Sequence, residues 1–172
     1  TQTITVSTSG NYSVTYTDGN GCSATSAVTP VTVNAAPTAP TISASGSTTF
    51  CAGGSVNLTS SQATGNVWST GATTQTITVS TSGNYSVTYT DGNGCSATSA
   101  VTPVTVNAAP TAPTISASGS TTFCAGGSVD LTSSQLAGNV WSTGASTQTI
   151  TVSTTGNYSV TYTDGNGCSA TS

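Results

Sequence analysis

The sequence predicts an all-β chain built from tandem copies of a small β-sandwich module. Three observations lead there. The chain repeats itself every 73 residues, and a long, near-identical repeat is the mark of an array of like modules. Val, Thr, Ile and Tyr recur in short stretches that alternate polar with apolar residues, the period-two signal of a half-buried strand. Gly and Asn clusters interrupt these stretches where the chain must turn. Nothing carries the 3.6-residue apolar stripe of a helix.

The repeat is close to literal. Thr1 to Val6 returns as Thr74 to Val79 and again as Thr147 to Val152. Across the first full period only four positions change: Asn57 becomes Asp130, Ala63 Leu136, Thr64 Ala137 and Thr73 Ser146. The third copy runs to Ser172 and replaces Ser9 by Thr155. The chain therefore reads as a window on a longer array.

Within one period the strands follow in order. Thr41 to Ser45 is the first. Val56 and Leu58 then alternate with Ser55, Asn57 and Thr59. Val67-Trp68-Ser69 is a short central strand. In Thr74 to Ser80, Gln75, Ile77 and Val79 share one face and the threonines the other. In Asn84 to Thr90, Tyr85, Val87 and Tyr89 lie opposite Ser86, Thr88 and Thr90. Val104 and Val106 close the module. Turns fall at Gly53-Gly54, Gly65-Asn66, Gly71, Gly83-Asn84 and Asp91 to Gly94. Six or seven short strands in about 70 residues fit a small sandwich.

The segments Asn34 to Pro40 and Asn107 to Pro113 set the phase. Two prolines among small residues make a stiff, extended connector. One complete module is expected at 41–107. Residues 1–36 are the back part of a preceding module, and residues 114–172 a module without its last strand.

Cysteine spacing predicts one disulfide per module. Cys51 and Cys95 lie 44 residues apart, as do Cys124 and Cys168. Closing such a loop contributes roughly 4 kcal/mol in the chain-entropy account, help that a small domain often needs. Cys22 matches Cys95 and Cys168 in the repeat, so its partner is expected upstream and Cys22 unpaired. Two isolated cysteines without His make no zinc site. Disulfides point to an oxidising compartment, hence a secreted or cell-surface protein.

Trp68 and Trp141, on the third strand, are expected in the core, with Tyr85 and Tyr158 beside them. Gly83-Asn84-Tyr85 resembles a tyrosine corner, whose hydroxyl bonds back to the backbone upstream. The alternative for each Trp is an exposed platform for a sugar ring.

Composition excludes much. The chain has no Lys, Arg, His or Glu, and its carboxylates are Asp18, Asp91, Asp130 and Asp164. Acid–base catalysis needs a group that titrates near working pH, and a serine nucleophile needs an adjacent base. No enzyme activity and no cofactor are expected. Phosphate recognition rests on cations, so nucleic acid is not an expected partner. A net charge of −4 disfavours anionic membrane surfaces, and no apolar run reaches the roughly 18–20 residues of a span.

Weaker signals have plainer readings. Asp91-Gly92-Asn93-Gly94 looks like part of a calcium loop but lacks the later Glu such a loop requires, and a turn is expected. Outward Thr74, Thr76 and Thr78 suggest an ice-binding ladder, yet a twisted sheet spoils a flat match. Asn11, Asn57, Asn84 and Asn157 open N-glycosylation sequons, and exposed Ser and Thr would suit O-linked sugar.

The succession Phe50-Cys51-Ala-Gly-Gly, Val67-Trp68-Ser69-Thr70-Gly71, Gly83-Asn84-Tyr85-Ser86-Val87 and Asp91-Gly92-Asn93-Gly94-Cys95 resembles the Ig-like repeat of large Bacteroidetes surface and secreted proteins, gliding-motility-associated adhesins among them. The resemblance covers nearly the whole chain. It implies Ig-like sandwiches serving as stalks, adhesins or matrix, exported through a type IX system. The near absence of charge is more extreme than that family suggests.

The function expected is thus an extracellular structural array, a stalk or the shaft of an adhesin or fibre. Its partners would be neighbouring identical modules, other copies of itself in a fibre, and surface glycans. Two alternatives stand beside it: a self-assembling filament in which a neighbour's strand completes a sandwich in trans, and a carbohydrate-binding module with Trp68 exposed.

Overall fold

A computed structural model describes residues 2–172, which are all β and turn with no helix. The first segment carries β1 (Gly10–Tyr12), β2 (Thr15–Thr17), β3 (Ser23–Thr25) and β4 (Thr29–Val31). The central module carries β5 (Ile42–Ala44), β6 (Thr49–Cys51), β7 (Val56–Ser60), β8 (Asn66–Trp68), β9 (Thr76–Val79), β10 (Gly83–Tyr85), β11 (Val87–Thr90), β12 (Ser96–Thr98) and β13 (Thr102–Asn107). The third carries β14 (Ile115–Ala117), β15 (Val129–Ser133), β16 (Asn139–Trp141), β17 (Thr149–Val152), β18 (Val160–Thr163) and β19 (Ser169–Thr171).

The central module is a two-layer sandwich with Ig-like strand order. One layer is β5-β7-β9, antiparallel throughout. The other joins β8-β11-β12 to β10-β13-β6. These two groups form one hairpin-based layer, because β10 runs into β11 and β12 into β13. The pairing register slips by one residue between them, from Thr88↔Thr98 to Tyr85↔Thr102. A one-residue slip is a β-bulge, which bends the strand pair. Val87 and Ser99 hold the bend together: Ser99 N–H donates to the Val87 carbonyl and Val87 N–H to Ser99 Oγ.

The alternation expected in Asn84 to Thr90 is present, with Tyr85 and Val87 buried. The single strand expected there is broken at Ser86, as its halves pair with different neighbours. β6 and β12 were not foreseen from alternation. β6 is held by main-chain pairing, parallel to β13.

Inward residues from both layers make the core: Val56, Leu58, Trp68, Val79, Tyr85, Val87 and Val104, with Ile42, Phe50, Ile77 and Val106 packed on its margin. Two buried polar residues complete each other, as Ser60 Oγ donates to Asn66 Oδ1 and Asn66 Nδ2 to the Gln62 carbonyl. Outside, cross-strand hydroxyls pair with one another, for example Thr59–Thr76, Thr88–Thr98 and Thr90–Ser96 at 2.8–3.0 Å. Such pairs stabilise a sheet without charge. Asn57 and Asp130 differ in charge yet do one job, each accepting from the threonine opposite, Thr78 or Thr151. Leu136 is exposed where Ala63 stands in the preceding repeat, and nothing in the structure explains that change.

The third module repeats this plan as β14-β15-β17 and β16-β18-β19. Gly156-Asn157-Tyr158 has the sequence of β10 but forms no strand, and no described strand pairs with it. The first segment is the converse. Its hairpins β1-β4 and β2-β3 match β10-β13 and β11-β12, yet no second layer covers them. Val14 is 68% exposed where its counterpart Val87 is fully buried.

Candidate inter-module junction

The chemistry-bearing residues converge where one module meets the next. Cys51 ends β6, opposite Asn107 at the end of β13, and Ala52 N–H donates to the Asn107 carbonyl. Cys51 thus sits at the pole from which the linker 107–113 departs. Pro113 of that linker is buried.

Cys168 sits in the turn between β18 and β19 of the third module. Asp164 builds this turn. Its Oδ1 accepts from the N–H groups of Asn166 and Cys168, both at 2.9 Å. Its own N–H donates to the Cys168 carbonyl. Gly167, at φ +80°, supplies a conformation that a side chain resists. Asp91 plays the same part before Cys95, accepting from Asn93 and Cys95. These carboxylates spend one oxygen on organising a turn, and the turn presents a cysteine.

The disulfide joins Cys51 to Cys168, with Cα atoms 5.6 Å apart and 117 residues between them in sequence. This corrects the expected pairing of Cys51 with Cys95 and of Cys124 with Cys168. The reason is the position of the two cysteines on each sandwich. The Cys51 type lies where the chain leaves a module. The Cys95 type faces the preceding segment, as Cys95 Sγ lies 3.9 Å from the Asn34 carbonyl. Asn34 is the repeat counterpart of Asn107. Opposite poles of one module cannot be bridged, whereas facing poles of successive modules can. Cys95 and Cys124 are free thiols, and so is Cys22, which is exposed. Cys168 is almost wholly buried.

The expected core residues fall as follows. Trp68 and Trp141 are each 2% exposed, and their indole N–H groups donate to the carbonyls of Thr74 and Thr147 at 2.8 Å. They present no face to a sugar, so the condition set for a carbohydrate-binding module is not met. Tyr85 is buried and its hydroxyl donates to the Thr81 carbonyl four residues upstream, the bond of a tyrosine corner. Tyr158 makes the same bond to Thr154 but is only half buried.

Tyr158 borders a groove of about 840 Å³ that runs along the third module between Ile115, Phe123, Cys124, Leu131 and Val152. In the central module the matching space is filled by β13, whose Val104 is 3% exposed. Phe123 is 37% exposed, while its counterpart Phe50 packs on the core. Sequence reasoning missed β6, which pairs parallel to β13 in the central module.

No family model matches the chain, and no curated protein matches it. Among solved structures it is similar to the human OSCAR ligand-binding domain, at 16% identity and a TM-score of 0.35, over 79% of this chain and 96% of that one. A likeness this distant carries no argument about ligand or partner.

Proposed function

We propose that the chain is a segment of an extracellular, non-enzymatic structural array, a stalk or adhesin shaft whose sandwich modules are stapled in series. The observation that carries this reading is the Cys51–Cys168 bond, which spans a junction instead of closing a module. A bond in that position serves tension. Both hydrophobic clusters, from Val56 to Val104 and from Val129 to Val160, lie inside the loop it closes. Load entering at one end passes through sulfur and leaves those cores unpulled.

Other features support it. Disulfides persist where the surroundings are oxidising, which supports an extracellular setting. Cross-strand hydroxyl pairs let an uncharged surface remain ordered. Likeness to surface-protein repeats points the same way.

Electron microscopy of native material tests the proposal. The array reading expects a single file of beads one module wide, repeating at roughly 30–40 Å from strand lengths and end loops. Compact particles without an axial repeat would defeat it.

A further inference from the structure

We propose that the outer edge of β9 is a self-pairing surface, at which a second copy of the chain adds its own β9 antiparallel, Thr78 opposite Thr78. This contact runs sideways between chains. It goes beyond the stapled array and does not depend on it.

β9 lies at the edge of its layer, in the order β5-β7-β9. β7 takes one side of it, and among the described residues no strand takes the other. The edge belongs to the interior of the central module, with strands before and after it. Between β8 and β9 the chain makes only a turn through Gly71, where Gly71 N–H donates to the Trp68 carbonyl and Trp68 N–H to that of Ala72. The third module repeats the arrangement, with β17 at the edge of β14-β15-β17.

The unused bonds can be located. Ser60 N–H donates to the Gln75 carbonyl. In the register Leu58↔Ile77, the alternation of an antiparallel ladder then turns Gln75, Ile77 and Val79 toward β7. Thr76 and Thr78 aim their main-chain N–H and C=O the other way, and both are exposed. Thr74 Oγ1 covers the Thr76 carbonyl by donating to it, which leaves Thr78 as the open centre. Edge strands are commonly guarded by Lys, Pro or a bulge. Gln75-Thr-Ile-Thr-Val79 has none of these.

A groove of about 440 Å³ runs along the same edge. Its lining combines apolar Ala72, Ile77, Val79 and Tyr85 with the hydroxyls of Thr70 and Thr81. A strand that fits must turn threonine outward and an apolar residue into the groove. β9 itself has that pattern. With Thr78 opposite Thr78, Ile77 of each copy stands opposite Val79 of the other, and Thr76 opposite Ser80. Exchange at these positions forms about six main-chain hydrogen bonds and joins two layers into one sheet.

Charge selects β9 over β17. Thr78 Oγ1 donates to neutral Asn57, whereas its counterpart Thr151 donates to the carboxylate of Asp130. Two β9 edges meet without charge. Any pairing through β17 sets a carboxylate beside the seam, and charge at an edge guards against pairing. Asn57/Asp130 is the one change between the repeats that alters charge, and self-pairing gives it a role.

The test uses the full chain with its three free thiols capped by iodoacetamide, so that no chance disulfide joins two copies. Sedimentation equilibrium at rising concentration gives the size, and amide hydrogen exchange by nuclear magnetic resonance reads Thr78. A two-fold contact closes on itself, so a monomer–dimer equilibrium is expected. In the dimer the Thr78 amide should exchange at least about tenfold more slowly, and the Thr151 amide should not change. Thr78→Pro should abolish the dimer, and it removes only an N–H that β7 does not use, a place where edge strands accept proline. Asn57→Asp keeps the fold by the precedent of Asp130. It should weaken the dimer about three- to tenfold at low salt, and the gap should close as salt rises. Asp130→Asn should let assembly proceed beyond dimers. A monomer at every concentration would overturn self-pairing. So would a dimer that survives Thr78→Pro or leaves Thr78 exchange unchanged, or growth of the unaltered chain beyond dimers. None of these outcomes touches the Cys51–Cys168 bond, so the array reading is judged separately.

Discussion

Pulling the chain by its ends gives the most direct measure of the staple. With the bond intact, residues 51 and 168 are fixed with their Cα atoms 5.6 Å apart. Only the residues before Cys51 and the few after Cys168 can extend. The 117-residue separation is hidden from the force. At about 3.4 Å per extended residue, reduction should release about 400 Å of further contour. An optical-tweezers or force-microscope experiment with handles at the two termini resolves that easily. The oxidised chain should peel β5 and β6 and stop. The reduced chain, or Cys51→Ser, should show two further unfolding events, one for each hydrophobic cluster. Equal contour lengths in oxidised and reduced chains would refute the reasoning, because they would mean that no bond spans the junction. A release of about 300 Å, the length of two 44-residue loops, would point instead to pairing within modules.

Other expectations follow from single contacts. Trp68→Ala should cost about 3–5 kcal/mol of the central module's stability, read by urea unfolding, because the indole is 2% exposed and bonded to Thr74; a cost under about 1 kcal/mol would deny it a core role. Gly65→Ala should destabilise by more than about 1 kcal/mol, since Gly65 has φ +73° and an added Cβ would sit 2.6 Å from the Thr90 carbonyl; a neutral result in thermal melts would mean that the turn is not as described. Tyr85→Phe should cost about 1 kcal/mol through loss of its bond to Thr81, whereas Tyr12→Phe should be nearly silent in the same unfolding assay, because β1 belongs to no sandwich core. Asp164→Ala should loosen the turn that holds Cys168, removing acceptors from two N–H groups. The Cys51–Cys168 bond should then be reduced at a lower dithiothreitol concentration, by gel shift of the alkylated chain.

Much of the fold was legible because period and alternation are strong in this sequence. Val56/Leu58, Ile77/Val79 and Tyr85/Val87 each bury the face that alternation assigned to them. The Trp of the third strand and the tyrosine corner could be read from residue type and place. β6 could not, because Thr-Phe-Cys has no alternation and is held by hydrogen bonds to β13. The split at Ser86 was hidden for a related reason. A bulge changes which neighbour a strand meets without changing which side chains point inward.

The cysteine pairing was illegible for a deeper reason, and the same reason tells what the pairing does. In a literal repeat, shifting by one period changes no residue, so Cys51 has equivalent candidates in Cys95 and Cys168. Spacing offers 44 or 117 residues, and loop-closure entropy separates them by less than about 1 kcal/mol. Only the position of each thiol on the sandwich breaks the tie. Cys51 leaves with the linker at Asn107, and Cys95 looks back toward Asn34. Because every copy carries the same two poles, the rule that staples the second module to the third applies to any neighbouring pair set in that arrangement. Such overlapping bonds would leave no junction relying on noncovalent contact alone. A near-neutral chain has no ion pairs with which to hold a linker straight. On the proposed array reading, proline and sulfur would do that work, and covalent continuity across junctions would replace the electrostatic contacts that the composition denies.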